Sequence, residues 1–145
     1  MWIVYAIAAA VLWGMSYAAS GRVLERGMSP MVFFFFYSFA GLLMSVGVLA
    51  ATGGVNRVSG EVQKIGPEMS WFTISVLASV TGAFLSYVAI GEKNATLASL
   101  IEISYPLFVA FFVWLFFREV QFNIATVSGA LLVFAGISMV CLGNR

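Results

Sequence analysis

Few residues in this chain can carry chemistry. It contains no histidine and no aspartate, and its one cysteine is Cys141. Zinc, iron and copper sites need clustered thiolates, imidazoles or carboxylates, and a nucleophile–histidine pair needs an imidazole. Neither can be assembled here. A single cysteine forms no internal disulfide, and no glycine-rich phosphate loop is present. No cofactor, no metal and no enzymatic activity are expected.

The exception is Glu102, a carboxylate inside the otherwise uncharged stretch from Asn94 to Phe117. Counted from Ala95 along a helix, it lies roughly 10 Å in. A charge at that depth in an apolar segment is costly unless it faces a bundle interior or a water-filled cavity. Tyr105 and Pro106 follow at three and four positions, and Ser99 precedes by about one turn. Proline has no amide hydrogen, so it frees the carbonyl of position 102 and loosens the helix there. Carboxylate, phenol, hydroxyl and backbone together suggest a site where Glu102 binds a proton, a cationic substrate group, or both in competition. The alternative is a structural glutamate hydrogen-bonded to a neighbouring helix.

Other candidates carry weaker signals. Trp13 and Tyr17 lie one turn apart, and their rings could line a cavity or face a cation. Packing or interfacial placement is the plainer reading of both, and Tyr87 stands similarly. Trp71 reads as an interfacial anchor. Arg118–Glu119 reads as a loop-edge pair and Glu92–Lys93 as a solvated turn. Asn94-Ala95-Thr96 matches a glycosylation sequon, although very close to an apolar segment.

The elements that position these residues follow from the charge pattern. Hydrophobic residues are 62% of the chain and charged residues 9%, with a mean hydropathy of +1.03. A soluble domain has about 25% charged residues to cover its surface, whereas a bilayer accepts an apolar exterior. Uncharged stretches run through residues 1–21, from Met31 to Ala51, from Met69 to Gly91, from Asn94 to Phe117 around Glu102, and from Val120 to Asn144. A hydrocarbon core of about 30 Å needs around 20 helical residues. The expectation is an all-α polytopic transmembrane bundle of about five helices, near 2–20, 31–51, 70–91, 95–117 and 123–142, forming one domain over 1–145. The first stretch lacks a positive leader and contains Trp2, Tyr5, Trp13 and Tyr17, so it reads as a membrane helix rather than a signal peptide. Only Thr52–Pro67 is long enough to wander, and its Gly, Ser, Asn and charges suit a solvated loop.

Lysine and arginine normally gather in cytoplasmic loops. With five crossings, Arg57, Lys64 and Arg118 fall on one side, and Arg22, Arg26, Lys93 and Arg145 on the other. The amino terminus levels the balance. Either other signals choose one orientation, or two copies insert oppositely and pair antiparallel, giving the inverted repeat many transporters encode in one chain. Small residues that permit close helix approach recur in three helices: Ala6–Ala10–Gly14–Ala18, Ser75–Ser79–Ala83 with Ala78–Gly82–Ser86, and Gly129 with Gly136. They suggest a tightly packed bundle or a dimer contact. Helix 2, with Phe33–Phe36 in a row, is expected to face lipid over part of its circumference.

Several of these segments resemble a known family. Val11-Leu12-Trp13-Gly14-Met15-Ser16-Tyr17, followed by Ser29-Pro30, looks like the opening of an EamA domain of the drug/metabolite transporter superfamily. Ala95-Thr96-Leu97-Ala98-Ser99-Leu100, Tyr105-Pro106, Arg118-Glu119 and Gly129-Ala130-Leu131-Leu132-Val133-Phe134-Ala135-Gly136-Ile137 are a closer match. The resemblance covers nearly the whole chain as one five-helix unit. Most members carry two such units, so one unit implies pairing with a second copy, as a homodimer that could be antiparallel, or with a related subunit. The Gly129–Gly136 spacing also resembles the dimerisation helix of small multidrug resistance proteins. Their membrane glutamate lies in helix 1, which here has no acid, so that role does not carry over. The resemblance implies a secondary transporter in a bacterial or archaeal cell membrane, exporting a small metabolite or drug-like compound by alternating access. The alternative is an accessory or structural membrane subunit without its own substrate. A channel is disfavoured, because no helix carries a repeated polar face. Nucleic acid is not expected as a partner.

Overall fold

The computed structural model describes residues 1–119 and 124–143, and the described residues are helical with no strand among them. The long helices are α1 (Trp2–Glu25), α2 (Pro30–Ala51), α4 (Met69–Glu92), the pair α5 (Ala95–Glu102) and α6 (Tyr105–Phe117), and α7 (Ile124–Gly143). A short α3 (Val58–Lys64) lies between α2 and α4. By length and composition, α1, α2, the segment ending in α4, and Ala95–Phe117 can each cross a membrane. The fifth, α7, has 20 residues, with a shorter apolar stretch, Val127–Val140, among those described. The expected start of this last helix near Asn123 lies outside the described residues.

Helix ends follow local chemistry. Ser29 is extended and its hydroxyl accepts from the Val32 amide at 3.3 Å, with Pro30 entering the first turn, where a missing amide hydrogen costs nothing. Asn94 does the same for α5: its side-chain oxygen accepts from the Leu97 amide at 2.8 Å. The asparagine of the sequon match is thus a half-buried helix cap. At the end of α1, Gly27 takes φ +97°, a conformation glycine reaches without a Cβ penalty. Arg118 closes α6 in the left-handed region, its amide bonded to the Trp114 carbonyl at 3.0 Å and its guanidinium 5.5 Å from the Trp114 ring centre.

The chain divides into two compact units, Ala19–Glu92 and Met1–Ala18 with Lys93–Arg145. In the first unit α2 and α4 pack as an antiparallel hairpin. Phe33 lies 4.7 Å and Tyr37 5.4 Å from Tyr87, ring to ring, and Phe34 lies 5.5 Å from Phe84. Tyr87 and Ile90 are buried, with Ser20, Gly21 and Leu24 of α1. Of the phenylalanine run, Phe33 and Phe34 turn toward α4, while Phe35 and Phe36 are 64% and 58% exposed. Aliphatic and aromatic residues on α2 and α4 are otherwise exposed in large numbers. Backbone polarity is satisfied within each helix, so such an apolar exterior belongs in hydrocarbon.

Two expectations need correction. Thr52–Pro67, expected as a loop, is largely helical. It folds into a 3₁₀ turn at Gly54–Arg57, α3, and a second 3₁₀ turn at Gly66–Glu68, because Val55, Val58, Val62 and Ile65 recur at helical spacing among its polar residues. The segment expected as one helix over 95–117 is two, interrupted at Ile103–Ser104.

Candidate functional site

The second unit contains the candidate site, built from α1 and the break between α5 and α6. The break has a clear cause. Pro106 stands in the first turn of α6, and with no amide hydrogen it cannot bond the carbonyl four residues back, that of Glu102. The chain tightens instead. The Ser104 amide bonds the Ile101 carbonyl at 3.1 Å, the Leu107 amide bonds the Ser104 carbonyl at 3.0 Å, and the Ser104 hydroxyl donates to Ile101 at 2.8 Å. These three-residue steps end α5 on Glu102 itself and restart the helix at Tyr105.

At this break the Tyr17 hydroxyl donates to the Glu102 carboxylate, a contact spanning 85 residues of sequence. Both side chains are half-buried. Trp13 packs edge-on against Tyr17, with ring centres 6.0 Å apart at 62°, and is itself 49% exposed. Trp13, Tyr17 and Glu102 thus form a connected set: an indole edge, a phenol and a carboxylate. The phenol satisfies one carboxylate oxygen, leaving acceptor capacity on the other.

The remaining candidates are placed differently. The Ser99 hydroxyl donates within its own helix, to the Thr96 carbonyl at 2.9 Å. Tyr105 is 66% exposed. At Gly14, Gly82, Gly129 and Gly136 a Cβ would meet nothing within 4 Å among the described residues. Between α2 and α4, a glycine that does serve close packing is Gly91, where a Cβ would come within 3.1 Å of the Pro30 ring. Nothing in the sequence around Gly91 distinguishes it, because the reason for it lies on another helix. Among the described residues no group of three or more His, Cys, Asp or Glu could hold a metal.

A polytopic apolar chain with a carboxylate at a proline-induced helix break is the arrangement in which membrane transporters place polar backbone and side chains, since irregular backbone is tolerated only where it is buried in protein or lines a cavity. The model of the EamA-like transporter family matches residues 1–142. The chain belongs to the EamA-like transporter family. That membership makes it a multi-pass membrane protein with a transport role of the drug/metabolite transporter type, in a family of transporters rather than enzymes. No curated protein and no solved structure matches the chain. For this EamA-like protein the substrate reading must therefore come from its own residues.

Proposed function

We propose that this protein is a secondary transporter working by alternating access, with Glu102 as the group that binds a proton or a cationic substrate in competition. The observation that carries the reading is the Tyr17–Glu102 hydrogen bond at the end of α5. A carboxylate held by a phenol at a helix interruption can release that donor when a proton or an ammonium group arrives. Trp13, beside Tyr17, offers a ring edge to the same site, and aromatic walls suit organic cations. Tyr105 and Ser99 belong to the same stretch of chain and complete the proposed binding region. The substrate class is a small amine or drug-like cation, moved outward, from a bacterial or archaeal cell membrane.

Two copies, inserted oppositely or in parallel, or one copy beside a related subunit, would supply the second half of the pathway. Gly129 and Gly136 lie on one face of α7, and among the described residues a Cβ at either would meet nothing within 4 Å, which suits contact with another helix.

The test uses everted membrane vesicles containing the full chain, with an acid interior and a panel of organic amines added outside. Wild-type protein is expected to release part of the pH gradient with at least one amine. Glu102→Gln, present in the membrane at the same level, is expected to abolish that response. Transport unchanged in Glu102→Gln would reject the site. A fully inert wild type that co-purifies with a larger membrane partner would favour the accessory-subunit reading.

A further inference from the structure

The segment between α2 and α4 has a feature that transport does not account for. Val55, Val58 and Val62 are 59%, 42% and 45% exposed, and Ile65 is half-exposed. Their spacing of three, four and three residues places them along one side of the 3₁₀ turn and α3. Gly60 and Lys64 fall on the other side, with Arg57 in the preceding turn. This is an amphipathic strip, short and with charges of both signs.

Its surroundings decide what can cover it. The strip is tied at both ends to membrane-crossing helices, α2 ending at Ala51 and the α4 span beginning at Gly66. It does not rise away from the end of α2. Thr52 caps α2 through its hydroxyl, 2.8 Å from the Val48 carbonyl, and Gly53 reverses the chain at φ +66°. Gly54 then comes so close to α2 that a Cβ would lie 2.8 Å from a Leu49 methyl. The 3₁₀ turn also packs against α2. A strip folded back on the end of a crossing helix lies at the depth where hydrocarbon gives way to headgroups. An amphipathic helix at that depth lies in the plane of the interface, apolar side down. Arg57 and Lys64 can extend their charged ends to the lipid phosphates.

We propose that Val55, Val58, Val62 and Ile65 form a lipid-binding face, and that the segment from Gly54 to Ile65 lies flat in the bilayer interface as a strap between α2 and α4. The occupant of the face is phospholipid, at the boundary of acyl chains and headgroups.

The test is a nitroxide scan of positions 55–65, one cysteine at a time, in the full chain carrying Cys141→Ser. The protein is reconstituted in vesicles of phosphatidylethanolamine and phosphatidylglycerol. Collisions with oxygen, which concentrates in lipid, are compared with collisions with a water-soluble nickel chelate. Labels at 55, 58, 62 and 65 are expected to favour oxygen over nickel severalfold, and labels at 57, 60 and 64 the reverse. Free access of nickel to every position would mean a hydrated loop and overturn the proposal. Protection of the valine positions from both reagents would mean that protein, such as a second copy, covers the face, and would overturn it equally. Neither result depends on transport activity.

Discussion

Glu102 and Tyr17 lie 85 positions apart in the sequence, and their contact sets the terms on which the proposed site works. A hydrogen bond to a charged group contributes about 1.5–3 kcal/mol, so losing it should be felt only while the carboxylate is there to receive it. Tyr17→Phe is expected to weaken amine-driven release of the pH gradient by about tenfold or more, the rate equivalent of that energy. Adding Tyr17→Phe to Glu102→Gln is expected to change nothing further. Independent, additive losses in the double variant would show that the two residues act separately. Glu102 was legible in the sequence as the single acid in an apolar run. Tyr17 was a candidate from the sequence as well, but its pairing with Glu102 was not legible, because nothing in local spacing links residues 85 positions apart.

At the scale of elements, the long helices were legible because uncharged runs of about 20 residues are what a bilayer selects. The interruption of the fourth was half legible. Pro106 pointed to a freed carbonyl at 102, but the way the chain tightens through Ser104 depends on backbone geometry that spacing alone does not give. Pro106→Ala restores an amide that can bond Glu102 and join α5 to α6. It is expected to slow amide hydrogen exchange across 103–107 and to reduce transport severalfold; transport at the wild-type rate with the helix healed would show that the break is incidental. The glycines teach a second lesson. Spacing singled out Gly14, Gly82, Gly129 and Gly136, whereas between α2 and α4 a close approach falls at Gly91, against the stiff ring of Pro30. Gly91→Val is expected to destabilise the α2–α4 hairpin by about 1–3 kcal/mol through overpacking. Gly82→Ala should be neutral or stabilising by up to about 1 kcal/mol. Thermal unfolding in detergent separates them, and equal midpoints would refute the assignment of Gly91. The short helix α3 and its flanking turns were missed because the polar residues of Thr52–Pro67 were weighed and its four aliphatic positions were not.

For the molecule as a whole, the sequence yields a number of crossings but little preference for direction. Lysine and arginine divide three against four between the two sides, and such a balance lets both orientations insert. Reporter fusions at each terminus are expected to be found on both faces of the membrane in comparable amounts, as an antiparallel pair requires. If each terminus keeps to one face, the chain works as a parallel oligomer or beside an oppositely inserted subunit, and the proposed self-pairing across an inverted repeat fails.

The division of the fourth span has an electrical consequence. An unbroken helix keeps its partial charges, about half an elementary charge at each end, near the membrane surfaces where water screens them. Ending α5 at Glu102 and starting α6 at Tyr105 moves one pole of each sign inside the span. The negative pole of α5 coincides with the Glu102 carboxylate, and the positive pole of α6 begins within one turn of it. On the proposed transport reading, a cationic group would be drawn to the α5 side of Ile103–Ser104 and an anionic group to the α6 side, which would orient a substrate carrying both charges.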